Sequence, residues 1–373
     1  MKTTYLLLCL LGIGSVSGAG QTKQPQKIGD FIESTSYNEH RRNATRSLQY
    51  TPDGDDFVCI NGKNRFTRAL YGSHTAFRLE TSDRPVFAAY TKENPKHICF
   101  KLQTSGGTVA LDSTEHCESR YTAGRRSYSL SDPAFGGGSL SITTWALPDK
   151  EGAIWQFNAR NFKEFHPVLL ASISEIRNSK LNRNGDMGAD PADSFEAPLQ
   201  PQQLQSFPVQ IDGTLYILLE NQELRTLTTA EGENLFKKAE AARSETASRI
   251  RIETPDPYFN TLGGTLAMAA DGIWDGEVWL HGAIGWRMPL SGWRAAYTGD
   301  VLGWHDRART HFNAYAASQV TEVPNTLPHP AQDSALHLAR SVKKWGTPQY
   351  SNGYICRNPH RNNQMHHYDM NLC

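Results

Sequence analysis

Five of the eight tryptophans of the chain lie between residues 274 and 304, among carboxylates, arginines, histidines and glycines. A flat indole can stack on the C–H face of a sugar ring, while neighbouring charged groups hydrogen-bond to the sugar hydroxyls. The stretch therefore predicts a carbohydrate site built on shaped loops. The candidate substrate-binding residues are Trp274, Trp279, His281, Trp286, Arg287, Trp293, Arg294, Trp304, His305 and Asp306.

The same stretch contains carboxylates that could cleave a glycosidic bond, which requires one carboxyl group as acid and a second as base or nucleophile. Asp275 and Glu277 are the candidate catalytic residues, with Asp300, Asp306 and Asp369 as further carboxylates. Residues two apart on an extended segment point to opposite sides. At most one of Asp275 and Glu277 therefore acts in the site, and the other is a cap or an arginine partner.

Three alternatives stay open from these residues. Tryptophans are also ordinary core residues, so the indoles could be buried without any ligand. A polysaccharide lyase would abstract a proton beside a uronate carboxylate, with Tyr297, His281, His305 and Arg287 as candidate groups. A non-catalytic glycan-binding protein would use the same rings for binding alone.

Two polar clusters invite a metal interpretation that their spacing does not support. The first cluster is an acidic loop near residue 186, and it does not have the glycine and glutamate positions of an EF-hand. The second is a group of histidines near the end of the sequence, and adjacent histidines on a helix point in different directions, so one metal site would rarely use both. We therefore predict no metal and no cofactor. The residues concerned are Asn182, Asn184, Asp186, Asp190 and Asp193 in the loop, and His360, His366, His367 and Asp369 near the end.

The elements that must position these groups change in character along the chain. Residues 51–225 alternate apolar and polar side chains between Gly, Asn, Asp and Pro breaks, which is typical of antiparallel strands with one buried face. Many short strands without helices between them predict an N-terminal antiparallel β-sandwich. The clearest runs are 65–71, 76–80, 86–90, 98–102, 139–145, 153–157 and 215–219.

Helical patterns follow the predicted sandwich. Thr228 and Glu231 have the spacing of a capping box, which predicts a linker helix within residues 226–256. Residues 257–373 show helical spacing with long aromatic connections, with helices expected over 259–273, 304–320, 333–344 and 363–373.

The N-terminal residues predict export. Residues 1–20 have a basic start, a short apolar run and small residues, as in a cleaved secretory signal peptide, and residues 21–50 form a polar leader. We therefore expect a periplasmic or secreted protein, and no later segment is apolar enough for a membrane span. Basic and acidic residues balance at 38 each, so nothing in the charge favours nucleic acid. The spacing leaves open whether Cys99 and Cys117 are bridged or free.

Several sequence strings resemble an exported Gram-negative family, domain-of-unknown-function family 4450, over nearly all of the mature chain. The strings are Asn61–Gly72, Asn182–Asp186, Ala269–Trp274 and Trp279–Gly282. The resemblance implies a β-sandwich followed by an (α/α)₆ toroid of the six-hairpin glycosidase type, and hence glycoside hydrolysis of oligosaccharides or polysaccharides. It supplies no catalytic pair to assign.

One departure from that family pattern concerns length. A toroid of twelve helices needs roughly 350 residues, and 116 residues follow Pro257. We therefore expect residues 257–373 to form only the opening part of the toroid, in a truncated chain that is inactive by itself.

Overall fold

The structure is a computed structural model that describes residues 50–63, 68–72, 77–90, 95–148, 150–162, 166–176, 195, 204–282, 289, 292–319, 321, 353 and 355. For Arg68 and residues 292–296 it describes the backbone alone. The predicted signal peptide, the leader up to residue 49, the acidic loop and the C-terminal histidines lie outside these residues. No helix among them is long and apolar enough to cross a membrane.

In this part of the chain, fifteen strands form two antiparallel sheets. The strands are β1 Thr51–Asp53, β2 Asp56–Ile60, β3 Arg68–Tyr71, β4 Arg78–Thr81, β5 Val86–Tyr90, β6 Lys96–Thr104, β7 Gly107–Ala110, β8 His116–Thr122, β9 Arg125–Ser131, β10 Ser139–Ala146, β11 Gly152–Arg160, β12 Val168–Glu175, β13 Gln205–Pro208, β14 Thr214–Glu220 and β15 Glu223–Leu227. The first sheet has the order β1-β2-β8-β9-β10-β11-β14-β15. The second has the order β13-β12-β6-β5-β4-β3, with β7 paired to β6.

The two sheets share one apolar core, so the predicted β-sandwich is confirmed. Trp155 on the first sheet meets Phe87 and Phe100 of the second, with ring centroids 5.4 and 5.8 Å apart and edge-to-face geometry. All three rings are buried. The seven runs predicted from alternation correspond to β3, β4, β5, β6, β10, β11 and β14.

The first helix, α1 Thr229–Ala247, begins at the predicted capping box. The Thr228 hydroxyl accepts from the backbone N–H of Glu231, and the Glu231 carboxylate accepts from the backbone N–H of Thr228, so the capping box is confirmed. The helix packs on the first sheet, where Phe236 meets Trp145 with ring centroids 3.8 Å apart. The Nε1 of Trp145 donates to Glu240 at 2.9 Å.

Further helices follow α1. They are α2 Pro257–Asn260, α3 Leu262–Gly272, α4 Gly292–Val301 and α5 His305–Ala317. The predicted helix over 259–273 is divided between α2 and α3, and the one over 304–320 corresponds to α5. Helix α4 lies in a stretch for which the glycines predicted loops, so that prediction is wrong for residues 292–301. The helices expected over 333–344 and 363–373 lie outside the described residues.

Helix α3 lies unusually close to the sandwich. A Cβ atom at Gly264 would approach the Ala123 side chain to 2.9 Å, and one at Gly272 would overlap with the ring of Tyr71. The guanidinium of the buried Arg78 on β4 donates to the carbonyl oxygen of Gly272. The end of α3 is therefore fixed directly to the second sheet.

The thiols of Cys59, Cys99 and Cys117 are free. Cys99 lies on the second sheet, with its Sγ 2.9 Å from the Ser172 hydroxyl. Cys117 lies on the first sheet in the core, where burial raises the pKa of its thiol to about 12. Of the two possibilities left open by the sequence, the structure shows unbridged thiols.

Candidate functional site

A tight turn over residues 275–278 follows α3 and carries both predicted catalytic carboxylates. The Asp275 carboxylate accepts from the backbone N–H groups of Glu277 and Val278, at 3.0 and 2.7 Å. Gly276 has a φ of +103°, which glycine adopts without strain. Asp275 therefore has the capping role that the sequence analysis allowed for one of the pair, while Glu277 lies exposed at the turn.

Two tryptophans flank this turn and pair across it. Trp274 and Trp279 form an antiparallel bridge, and their rings lie 4.6 Å apart. The Nε1 of Trp279 donates to the carbonyl oxygen of Ala270 in α3, at 3.2 Å. Both indoles are buried, so their contribution here is to hold the base of the turn.

A third indole, Trp304, lies between two guanidinium groups. Arg307 in α5 lies 4.3 Å from its ring centroid, and Arg249, just after α1, lies 5.2 Å away. Arg249 also donates to the carbonyl oxygen of Leu302 at 2.8 Å. Cation–π contacts of this kind are strongest where water is excluded, and Trp304 is 8% exposed.

Arg307 also forms the ion pair of this region. Its Nη1 lies 2.7 Å from Oδ1 of Asp271, which is in the last turn of α3 and 2% exposed. The guanidinium lies 5.7 Å from the ring centroid of Trp274. Removing one partner of such a pair leaves a buried charge uncompensated, which is strongly destabilising.

His311 completes the contacts beneath the turn. Its Nδ1 accepts from the backbone N–H of Trp279 at 3.2 Å, and the side chain is fully buried. A neutral imidazole that accepts at Nδ1 carries its proton on Nε2. Neither His311 nor Asp271 was among the predicted site residues. Arg307 was not among them either. The four-residue spacing of Arg307 and His311 on one helix was a signal for those two residues, whereas no local pattern indicated Asp271.

His281, His305 and Asp306 are the other predicted polar residues that the structure describes, and they lie at least partly exposed. His281 is half-buried beyond the turn. His305 starts α5, and its Nδ1 lies 3.1 Å from the Asp300 carboxylate, with both side chains more than half exposed. Asp306 is 3.1 Å from Arg309 and almost fully exposed.

The predicted sugar platform is only partly described. Trp274, Trp279 and Trp304 belong to a core cluster with alanines of α3 and α5, so these rings present no exposed face for stacking. The physical reason is that α3 and α5 are rich in small residues, and the large indoles fill the space between them. The side chains of Trp286, Arg287, Trp293 and Arg294 lie outside the described residues.

A small cleft opens where α1 and α3 meet the sandwich. Tyr71, Trp145, Arg243, Met268 and Asp271 are among its lining residues. Its cavity volume of about 20 Å³ fits a water molecule but not a sugar ring. Within the described ranges, no three His, Cys, Asp or Glu side chains are grouped to hold a metal ion.

Residues 95–249 match the model of a family described as Domain of unknown function (DUF4450). This match supports the family resemblance found in the sequence, at the level of that domain. It runs from the start of β6 to just past α1, and so ends before the turn and helices α2 to α5. No curated protein matches the chain.

Proposed function

We propose that this chain supplies part of a glycoside hydrolase that acts on oligosaccharides or polysaccharides by carboxylate acid–base chemistry. The observation that carries the proposal is the exposed carboxylate of Glu277 on a turn whose base is rigidly held. One carboxylate oxygen of Asp275 accepts hydrogen bonds from two backbone N–H groups of the turn. Glu277 is the better candidate for proton transfer to or from a substrate because it is exposed, whereas Asp275 is only partly exposed.

Glycoside hydrolysis needs a second carboxyl group, about 5 to 10 Å from the first. Asp300 is a candidate because its exposed carboxylate is oriented by His305. In this proposal, His281 binds sugar hydroxyls, and the side chains of Trp286, Arg287, Trp293 and Arg294 complete the substrate platform. The buried indoles support the turn from beneath.

The proposal extends to export and to the larger fold. Residues 1–20 would direct the protein to the periplasm or the exterior, where polysaccharides are degraded. Helices α2 to α5 would belong to an (α/α)₆ toroid of the six-hairpin type. The support for both is the sequence pattern and the family resemblance.

A polysaccharide lyase is the second candidate, favoured by the pairing of His305 with Asp300. A histidine oriented by a carboxylate can abstract the proton beside a uronate carboxylate. Tyr297 is 63% exposed on the same helix as Asp300 and could return a proton to the leaving group. The lyase reaction creates a C=C bond, whose ultraviolet absorbance separates it from hydrolysis.

The test is the release of reducing ends from a panel of neutral and acidic polysaccharides by the protein encoded by the complete gene. Glu277→Gln should lower kcat by about 10²- to 10⁴-fold, the usual contribution of a general acid or base. Glu223→Gln is the matched control, since Glu223 is exposed on β15 in the sandwich. Wild-type turnover by the Glu277 variant would contradict the assignment, and saccharide binding without any bond cleavage would indicate a glycan-binding protein.

A further inference from the structure

Helix α5 contacts the chain on both sides of the candidate turn, once before the turn and once after it. Arg307 binds Asp271, four residues before the turn begins, with 2.7 Å between Nη1 and Oδ1. His311 accepts from the backbone N–H of Trp279, directly after the turn, at 3.2 Å. Residues four apart on a helix lie on the same face, so one face of α5 holds both ends of the turn.

Both contacts are shielded from water, so each depends on its own protein partner. Asp271 and His311 are buried, so water does not readily replace the lost partner of either group. Arg307 lies close to the rings of Trp304 and Trp274, at 4.3 and 5.7 Å. This contact uses the planar shape of the guanidinium as well as its charge.

Backbone hydrogen bonds and ring packing at the two ends of the turn connect these two contacts. The backbone N–H of Trp274 donates to the carbonyl oxygen of Asp271 at 3.1 Å, and the Trp274 ring packs on Trp279. The backbone N–H of Leu280 donates to the carbonyl oxygen of Ile273 at 2.8 Å, which closes the base of the turn. A displacement at either contact with α5 is thus transmitted to the turn.

We propose that Arg307 and His311 are positioning residues that clamp the 275–278 turn and so fix the carboxylate of Glu277. The inference deepens the proposed function and rests on it for the role of Glu277. The clamp itself has a physical signature that does not depend on any substrate.

Amide hydrogen exchange of the 373-residue chain, resolved to single residues by NMR, measures that signature. His311→Ala leaves the Trp279 N–H without its acceptor and should speed exchange at Trp279 by about tenfold or more. If His311 positions the turn, exchange at Glu277 and Val278 rises too, because their hydrogen bonds to Asp275 open more often. His311→Asn, which places an amide oxygen near the former Nδ1, should restore most of the protection.

Arg307→Lys tests the second contact. It keeps a positive charge for Asp271 but loses the planar group beside the indoles, so exchange at Glu277 and Val278 should rise by about three- to tenfold. Arg309→Lys is the matched control. Arg309 is on the same helix and pairs with Asp306, and both side chains are largely exposed. It should leave the turn amides unchanged.

The outcomes are distinct. Faster amide exchange at Trp279 alone would mean that His311 is only a local hydrogen-bond partner. Faster exchange spread evenly over the sandwich would mean that the residue supports the fold in general. Either result would overturn the clamp. Acceleration confined to residues 277–279 supports it. If the clamp holds while the complete protein and its Glu277 variant cleave no polysaccharide, the proposed function fails and the clamp stands.

Discussion

The sandwich and the helical part of this molecule are built on different physical principles. The sandwich buries a broad core drawn from both sheets, in which rings and aliphatic side chains contribute together. The core around the turn is small, and indoles beside an ion pair supply most of its bulk. In the described part of α4 and α5, Tyr297, Val301 and Phe312 are also exposed. Stability is thus distributed over many residues in one region and concentrated in a few in the other.

The largest effect that separates the regions is expected from Trp155→Ala in the sandwich. Trp155 is fully buried against Phe87 and Phe100, and its removal should lower the free energy of unfolding by about 3 to 5 kcal/mol. Denaturant unfolding followed by circular dichroism measures the loss. The control, Ile60→Ala at the exposed end of β2, should change stability by less than about 0.5 kcal/mol. A similar small loss for Trp155→Ala would contradict the description of the core.

The second largest loss of stability is expected in the helical part, where a few large side chains form the core. Gly299→Ala in α4 adds a methyl group that overlaps with the buried indole of Trp279. Overpacking of this kind should cost about 1 to 3 kcal/mol, although alanine is the better helix former by about 1 kcal/mol.

A double-mutant cycle sharpens that prediction. Trp279→Phe removes the outer indole ring that the new methyl group meets, so Gly299→Ala should be tolerated better in that background. Additive losses for the two substitutions would show that the sites do not touch.

A smaller effect is expected at the start of α1, where the two regions meet. Thr228→Ala removes the hydroxyl that accepts from the N–H of Glu231 and should cost about 1 kcal/mol. Thr229→Ala, also exposed and already inside the helix, is the control and should be nearly neutral. Equal losses in thermal unfolding would mean that the cap contributes nothing to the packing of α1.

The smallest effect is a pH dependence in the sandwich. His97 is 3% exposed, and burial lowers the pKa of its imidazole, with the Asp112 carboxylate opposing that shift. The unfolded state therefore binds the proton more readily, so stability falls as the pH drops below about 6.5 and continues to fall until the lowered pKa is passed.

One group changes stability by at most about 1.4 kcal/mol per pH unit, so the His97 contribution at pH 6 is below about 1 kcal/mol. Urea unfolding at pH 7.5 and pH 6.0 should show a larger loss for the wild type than for His97→Gln. An identical pH dependence in the two proteins would rule out a contribution from His97.

The clearest alternating runs in the sequence did not include strand β9, in which a charged residue occupies one of the inward positions. Strand β9 turns Arg126, Tyr128 and Leu130 inward, and the buried Arg126 hides the pattern. Its Nε donates to the carbonyl oxygen of Ser82, on a distant loop, at 2.9 Å. A contact at such a sequence distance leaves no local periodicity from which it could be predicted.

At the candidate site, the sequence pattern indicated which residues are neighbours along the chain but not how deeply each is buried. Trp274 and Trp279 flank the turn that carries Asp275 and Glu277. Burial of Trp274, Trp279 and Trp304 depends on how α3 and α5 approach each other, which single-segment patterns do not contain. The contribution of Asp271 and His311 depends on the same tertiary contacts.

The close approach of α3 to the sandwich restricts how such a protein could be rearranged in evolution. The family match ends at residue 249, which suggests a place to exchange modules. A replacement helical segment would still need residues without side chains where Gly264 faces Ala123 and Gly272 faces Tyr71. It would also need a carbonyl oxygen in reach of Arg78. A new helical segment would therefore have to match the sandwich at three specific points, and an exchange of modules would require changes on both sides of the contact.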